Sequence, residues 1–214
     1  MRVDIWSDVV CPWCYLGKRR FERALADFEH RDQVAVVYHS FELDPRLPRG
    51  EVLPKVPLLA KKFGKGEAEV HAMEERLARL AAEDGLEYNL DDSVIGNTFD
   101  AHRLLHLARE RGLQAEATER FFHAYFTERR SVFDEESLVS VAADAGLDAD
   151  EARRVLKGED YADDVRADIA KARELGVNGV PFFVLDERYG VSGAQSVETF
   201  RAALAQAYAG PLPK

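Results

Sequence analysis

Asp8-Val9-Val10-Cys11-Pro12-Trp13-Cys14-Tyr15-Leu16-Gly17 is the stretch on which the reading of this chain turns. It holds both cysteines of the 214 residues, three positions apart. Before it, Arg2-Val3-Asp4-Ile5-Trp6 alternates apolar with polar residues and reads as a short strand. After it, Leu16, Phe21, Leu25 and Phe28 recur at a helical spacing through Lys18 to Glu29. The cysteines therefore sit where a strand hands over to a helix. The first turn of a helix carries unpaired N–H groups and partial positive charge, so a thiolate at Cys11 is stabilised there. Pro12 suits that first turn, because its missing N–H would have had no helical partner. Cys14, one turn on, is expected to be the more buried of the two. Cys11 is thus the expected nucleophile, and Cys14 the thiol that resolves a mixed disulfide on it.

Two structural readings of the pair are weaker. Half a zinc site would need further ligands, and the chain has no other cysteine and no histidine close by in sequence. A purely structural bridge closing so short a loop would constrain the unfolded chain little. No metal is expected.

Composition bounds the rest. The chain is long enough for one domain with an insertion, or two small ones. Its mix of 46% apolar and 32% charged residues is that of an ordinary globular protein. A net charge of −10 argues against nucleic acid or an anionic membrane as partner. No stretch has the apolar length of a membrane span. The first strand begins at once, without a basic-then-apolar leader, so the expected location is cytoplasmic. In a reducing compartment a Cys-x-x-Cys pair points to catalysis rather than to structure.

Gln33 to Phe41 reads as a second strand, broken off by the prolines and glycine of 43–50. About a hundred residues rich in Ala, Leu, Glu and Arg follow, with helices expected at Lys55–Phe63, Glu67–Glu83, Thr98–Arg111, Ala115–Arg129, Glu135–Ala145 and from Asp148 to Gly158, and no strand. Asn97-Thr98-Phe99-Asp100 offers a cap with an acidic first turn, and Asp148 a cap with Glu151 reaching back. Phe121, Phe122, Tyr125 and Phe126 cover most of one helix face and read as core. Tyr161–Leu175 is one more helix, Val180-Pro181-Phe182-Phe183-Val184-Leu185 runs into an apolar strand, and Tyr189–Ser192 is its short partner. Ser196–Tyr208 is the last helix, closed before Gly210-Pro211. Without the helical block the order is βαβ–αββα.

That order, with Cys-x-x-Cys opening the first helix, resembles the thioredoxin fold. The helical insertion resembles the DsbA branch of it. The match is more specific to FrnE-type members on four stretches: Ser7 to Gly17, Asn97 to Leu104, Gly179 to Val184, and Val191 to Ser196. The resemblance implies an α/β thioredoxin fold with a large all-helical insertion, residues 1–45 and 159–214 forming the thioredoxin-like part and 46–158 the insertion. It implies that Pro181 is cis and faces the cysteines, leaving the backbone of Val180 to pair with an extended substrate. Pro12 and Trp13, between the cysteines, would meet that substrate, with plain packing an equal reading for Trp13. Asn97 and His102 gain weight only because their stretch resembles one that faces the site in relatives. Gln195 and Ser196 lie where related kappa-class glutathione transferases and chromene-carboxylate isomerases hold glutathione, although an ordinary capped helix start explains them as well.

Where the well-known periplasmic oxidants of this family carry His between the cysteines, this chain has Trp13, which offers no charge, and Asp8 upstream opposes a thiolate if it lies close. The resemblance therefore implies a Cys11 thiolate less stabilised than theirs. His102 and His106 share a helix face, but no third ligand is evident, and both read as surface or half-buried histidines. His30, His39, His71 and His123 read as ordinary histidines. The function implied is thiol–disulfide exchange on protein or small-molecule thiols and disulfides. It needs no cofactor beyond the redox-active pair, with glutathione or another low-molecular-weight thiol as co-substrate. With only two cysteines no internal relay exists, so an external thiol or reductase must reset the pair. The rivals are a thiol-dependent isomerase or transferase on a small aromatic or polyketide-like molecule, in which Ser typically replaces Cys11, and a chaperone-like binding protein that would survive Cys11→Ser.

Overall fold

A computed structural model describes residues 1–210. In chain order the elements are β1 (Arg2–Ser7), α1 (Pro12–Ala26), β2 (Ala35–Ser40), β3 (Leu53–Pro54), α2 (Lys55–Phe63), α3 (Glu67–Glu83), β4 (Val94–Ile95), α4 (Phe99–Glu110), α5 (Gln114–Phe126), α6 (Glu135–Asp144), α7 (Ala149–Lys157), α8 (Ala162–Glu174), β5 (Phe182–Leu185), β6 (Tyr189–Ser192) and α9 (Val197–Tyr208). Pro211, expected past the end of the last helix, lies outside the described residues. The chain divides into two compact units, Met1–Leu43 with the residues from Arg166 on, and Asp44–Val165. The second boundary falls inside α8, whereas the sequence places it at 158/159, ahead of that helix.

The first unit is built on one mixed sheet in the order β2-β1-β5-β6. β1 runs parallel to β2, with Ile5 beside Tyr38, and antiparallel to β5, with Ile5 beside Phe183. β5 and β6 form the hairpin that the sequence anticipates. Because β1 is central and covered on both faces, it is buried beyond Arg2 despite its alternating sequence. On one face Val3 and Ile5 pack with Phe21 and Ala24 of α1, Phe183 of β5, and Phe200 and Leu204 of α9. The rings interlock edge-on, with Phe183 and Phe200 centroids 4.6 Å apart and Phe21 and Phe200 5.6 Å apart. On the other face Trp6 packs with Ala172 and Val177, and His39 joins Asp4 to Asp168 of α8. The pleat of β1 thus separates an apolar layer from a partly ionic one.

Two elements of this unit are shorter than the sequence suggests. β2 begins at Ala35, because Arg31–Gln33 turns as a 3₁₀ segment first. α1 ends at Ala26 rather than Glu29.

The helical unit centres on α4, which is buried nearly all round and packs against α5, α6 and α7. Arg103 is wholly buried on it. Its guanidinium donates to the carbonyls of Val155, Gly158 (2.7 Å) and Asp160 (2.9 Å) and pairs with Asp100 at 2.8 Å. A cation thus satisfies the open carbonyls at the end of α7. Phe121, Phe122, Tyr125 and Phe126 are core, as read. Tyr125 donates to the Val94 carbonyl at 2.7 Å.

One expectation for this unit fails: it does contain strands, because β3 pairs with β4, Leu53 beside Ile95. Each has two residues and the partners are some forty positions apart, so no local hairpin signal exists. Gly96 follows β4, and a β-carbon there would lie 2.6 Å from the Glu51 carbonyl oxygen and 2.7 Å from the Phe133 ring. Asn97 caps by another route than Thr98: its Oδ1 accepts the Phe99 N–H at 2.9 Å in an Asx turn. Asp148 caps α7 as expected, accepting from Glu151 N, but the Glu151 carboxylate turns instead to Arg111.

Candidate active site

Cys11 is the N-cap of α1, in extended conformation (φ −88°, ψ 111°), with Pro12 the first residue inside the helix. Its carbonyl receives the N–H groups of Cys14 (3.0 Å) and Tyr15 (3.3 Å), and its own N–H donates to the Asp8 carbonyl at 3.0 Å. Both sulfurs are thiols and unbridged. Both are buried, Cys11 at 3% exposure and Cys14 at 2%, so the expected contrast between them is absent. The reason is local: the Cys11 thiol turns onto the Val180 carbonyl, with Sγ 3.5 Å from the oxygen.

Cys14 sits in a drier setting. Burial pushes its thiol pKa well up, and the thiol contact and charge of Cys11 push it further. Hydrogen bonds from the Ser7 side chain and the Asp8 backbone oppose the shift without reversing it. Cys14 is therefore held as a thiol in the resting dithiol. The Asp8 carboxylate is buried and accepts the Leu43 N–H at 2.7 Å, which ties the segment after β2 to the loop before the cysteines.

The Val180–Pro181 peptide bond is cis, and Pro181 is buried. A residue that the sequence reading did not single out makes room for it. A β-carbon on Gly17 would stand 2.9 Å from Pro181 Cγ and 3.4 Å from Ala194 Cα. Gly17 is therefore the position where α1 lets Pro181 approach. The Gly193 N–H donates to the Pro181 carbonyl at 2.8 Å, and Arg20, one turn beyond Gly17, donates to the Ala194 carbonyl at 2.9 Å. Cys11, Cys14, Val180, Pro181 and the loop 193–195 are thus joined to one helix. A glycine inside a helix that directly follows the cysteines is the one sequence signal that points to this packing.

Of the other expected site residues, Pro12 is half-buried and Trp13 is 46% exposed, beside the buried thiols. Ser196 caps α9, its hydroxyl accepting from Thr199 N at 3.2 Å, and Gln195 Nε2 donates to the Ser192 carbonyl at 2.8 Å. Asn97 and His102 belong to the helical unit, both buried. His102 and His106 are neither surface nor half-buried, as the sequence suggests, but buried, because the α4 that carries them is packed against α5, α6 and α7. Among the described residues no three His, Cys, Asp or Glu side chains are grouped to hold a metal, and no helix is long and apolar enough to cross a membrane.

A buried dithiol at the start of the first helix, beside a cis proline at the start of a central strand, defines an oxidoreductase of the DsbA-like thioredoxin class. The comparisons agree: the chain belongs to the DSBA-like thioredoxin domain family, whose model matches residues 2–205. It is similar to the crystal structure of the probable DsbA oxidoreductase SCO1869 from Streptomyces coelicolor. That likeness has a TM-score of 0.95 and 52% identity, over 100% of this chain and 92% of that one. It is 28% identical to the uncharacterized protein YwbO of Bacillus subtilis over 206 residues, 95% of this chain and 96% of that protein. The cytosolic disulfide reductase DsbM from Pseudomonas aeruginosa shares the fold, with a TM-score of 0.67 and 17% identity over 98% of this chain and 100% of that one.

Proposed function

We propose that this protein catalyses thiol–disulfide exchange on protein or low-molecular-weight thiols and disulfides, with Cys11 as nucleophile and Cys14 as resolving thiol. The observation that carries the reading is the pair of buried, unbridged thiols at the N-terminus of α1, with Cys11 set on the Val180 carbonyl. In the reducing direction the Cys11 thiolate attacks a disulfide R–S–S–R′, forming Cys11–S–S–R and releasing R′–S⁻. Cys14 then gives up its proton and attacks Cys11 Sγ, releasing R–S⁻ and closing the bridge. Two electrons have passed from the pair to the substrate. An external thiol such as glutathione, or a reductase, returns them. In the oxidising direction the same steps run backwards.

The surroundings suit this chemistry. Burial and the neighbouring Cys11 raise the Cys14 pKa, so in the dithiol Cys14 carries the proton that it gives up when it resolves the mixed disulfide. Exposed Trp13 offers an apolar contact beside the reacting sulfur, and Val180 offers backbone to an extended substrate. Retention of cysteine at position 11 favours redox chemistry over isomerisation. A cytoplasmic setting, where reduced thiols abound, fits a pair reset from outside.

The test is trapping and titration. Cys14→Ser should accumulate a mixed disulfide on Cys11 with glutathione or a disulfide-bonded peptide, and Cys11→Ser should trap none. Wild-type protein should titrate reversibly as a two-electron couple in glutathione buffers, read by thiol alkylation. A pair that never cycles sinks the proposal. Turnover of a small aromatic substrate with no change in thiol content would replace it with the isomerase reading.

A further inference from the structure

The exchange chemistry makes no use of His39, a half-buried histidine on the edge strand β2. Its ring bridges two carboxylates: Nε2 lies 2.6 Å from Asp4 Oδ1 on β1, and Nδ1 lies 2.6 Å from Asp168 Oδ1 on α8. A neutral imidazole has one N–H and can donate to one acceptor only; donation to both carboxylates requires the imidazolium. The surroundings hold this arrangement firmly. The second oxygen of Asp168 accepts the Ser40 N–H at 2.8 Å. Arg2 donates to Asp4 Oδ1 through Nε (2.9 Å) and Nη2 (2.6 Å). Trp6 stacks on the imidazole, with centroids 4.5 Å apart and planes 17° apart, and its indole N–H donates to the Asp168 backbone carbonyl at 3.0 Å.

Trp6 leads to the reacting sulfur. With Ala172 and Val177 it forms the buried cluster on which Val180 packs. The Val180 carbonyl is the one that accepts the Cys11 thiol. We propose that His39 is a positioning residue for the redox pair. Clamped as an imidazolium between Asp4 and Asp168, it fixes Trp6, and through the Trp6 cluster it fixes the Val180 carbonyl, so that the charge on His39 and the redox state of Cys11 and Cys14 are coupled.

The direction of the coupling follows from the hydrogen bond. Cys11 donates to Val180 only while it carries a proton, so the clamp favours the dithiol over the bridge. Oxidation by glutathione disulfide converts the two thiols and one oxidised glutathione into the bridge and two reduced glutathiones. The pair loses two electrons, and its two protons end on the glutathione thiols. Removing the charge at position 39 should shift that equilibrium toward the bridge. Coupling is reciprocal, so His39 should hold its proton to higher pH in the dithiol than in the bridged form. Burial by itself favours the neutral ring; the hydrogen bonds and charges of Asp168 and then Asp4 outweigh it and raise the His39 pKa above its ordinary value. The charged groups that face the ring are Asp4 from β1, with Arg2 behind it, and Asp168 from α8; its neighbours on β2, Tyr38 and Ser40, carry no charge near neutral pH.

The inference rests on the thiol–disulfide reading and can fail separately from it. The experiment follows the imidazole C–H resonances of the wild-type protein by NMR through the neutral and mildly alkaline range, once in the fully reduced and once in the fully oxidised state. The His39 signal is identified by its contact with the Trp6 ring and by its loss in His39→Gln. The expected result is a higher His39 midpoint in the dithiol form. In parallel, His39→Gln should shift the equilibrium with glutathione toward the bridge by at least about fivefold, the low end of site-to-site coupling. If His39→Gln does not fold, the two wild-type midpoints decide the matter alone. Coincident midpoints, or a lower one in the dithiol, overturn the coupling while the exchange activity stands. A wild-type pair that does not cycle overturns both.

Discussion

The two faces of β1 are built from opposite materials. One face sets Val3 and Ile5 among Phe21, Phe183 and Phe200, with no charge among them. The other sets Asp4 and Trp6 against His39 and Asp168, an ion cluster under an indole. β1 is buried on both faces beyond Arg2, yet the two faces stabilise the sheet by different physics. The aromatic face relies on area and shape, which hardly respond to pH. The ionic face relies on one proton, because buried charges are tolerated only when paired and hydrogen-bonded. The apolar face makes the sheet stable. The ionic face is positioned to make its end, where Val180 meets Cys11, responsive.

The largest effect should come from breaking the aromatic face. Phe183→Ala removes a ring that touches both Phe21 and Phe200, and should cost about 4 kcal/mol of unfolding free energy, the usual range for a buried Phe truncation. Urea unfolding across pH should show a loss that stays constant. A loss that varied strongly with pH would mean that the two faces are not independent.

Breaking the ionic face should cost somewhat less, and its cost should depend on pH. His39→Leu takes away the cation shared by Asp4, which keeps only Arg2, and the largely buried Asp168, a loss of about 3 kcal/mol near or below neutrality. The sign follows from the raised pKa of the folded state. The stabilisation from His39 is fully present below its unfolded value of about 6.5 and is lost as pH rises through the higher folded value. The gap between wild type and His39→Leu should therefore shrink at alkaline pH. A gap that widened instead would show that the ring is neutral in the fold.

This contrast also explains what the sequence could and could not show. The cysteine pair, the strand before it and the glycine-stopped helices of the insertion are local patterns with fixed spacing, and they were legible. So was Pro181, through resemblance. His39 was not: one histidine in a run of valines looks the same whether it faces solvent or two carboxylates. Its partners lie 35 positions upstream and 129 downstream. β3 and β4 were hidden for the same reason, since a pairing of two residues across such a separation leaves no trace in either segment. Gly17 sat in plain view inside the quoted stretch, but its purpose depends on a proline that the chain reaches only after the whole helical unit.

Gly17 sharpens the comparison at the place where both faces reach the site. Gly17→Ala inserts a methyl group 2.9 Å from Pro181 Cγ, so the proline or the helix must shift. The expected cost is about 1–3 kcal/mol, typical of overpacking, together with slower trapping of a mixed disulfide on Cys11. Unfolding and trapping measured on the same protein separate the two. Lost stability with unchanged trapping would mean that the approach of Pro181 to α1 does not set the reactivity of Cys11.

The smallest effect is expected at Ser196, where an element of the aromatic face begins. The structure commits its hydroxyl to the N–H of Thr199, which starts the helix that carries Phe200 and Leu204 into that face. As a cap, Ser196→Ala should cost about 1 kcal/mol, and Ser196→Gly only a few tenths. Neither should change the KM for glutathione. As a glutathione contact, both substitutions should raise that KM by similar factors, because each removes the same hydroxyl. The Ala and Gly variants thus diverge in stability if the residue serves the helix, and agree in KM if it serves the co-substrate. Unfolding curves and steady-state kinetics on the pair separate the two roles.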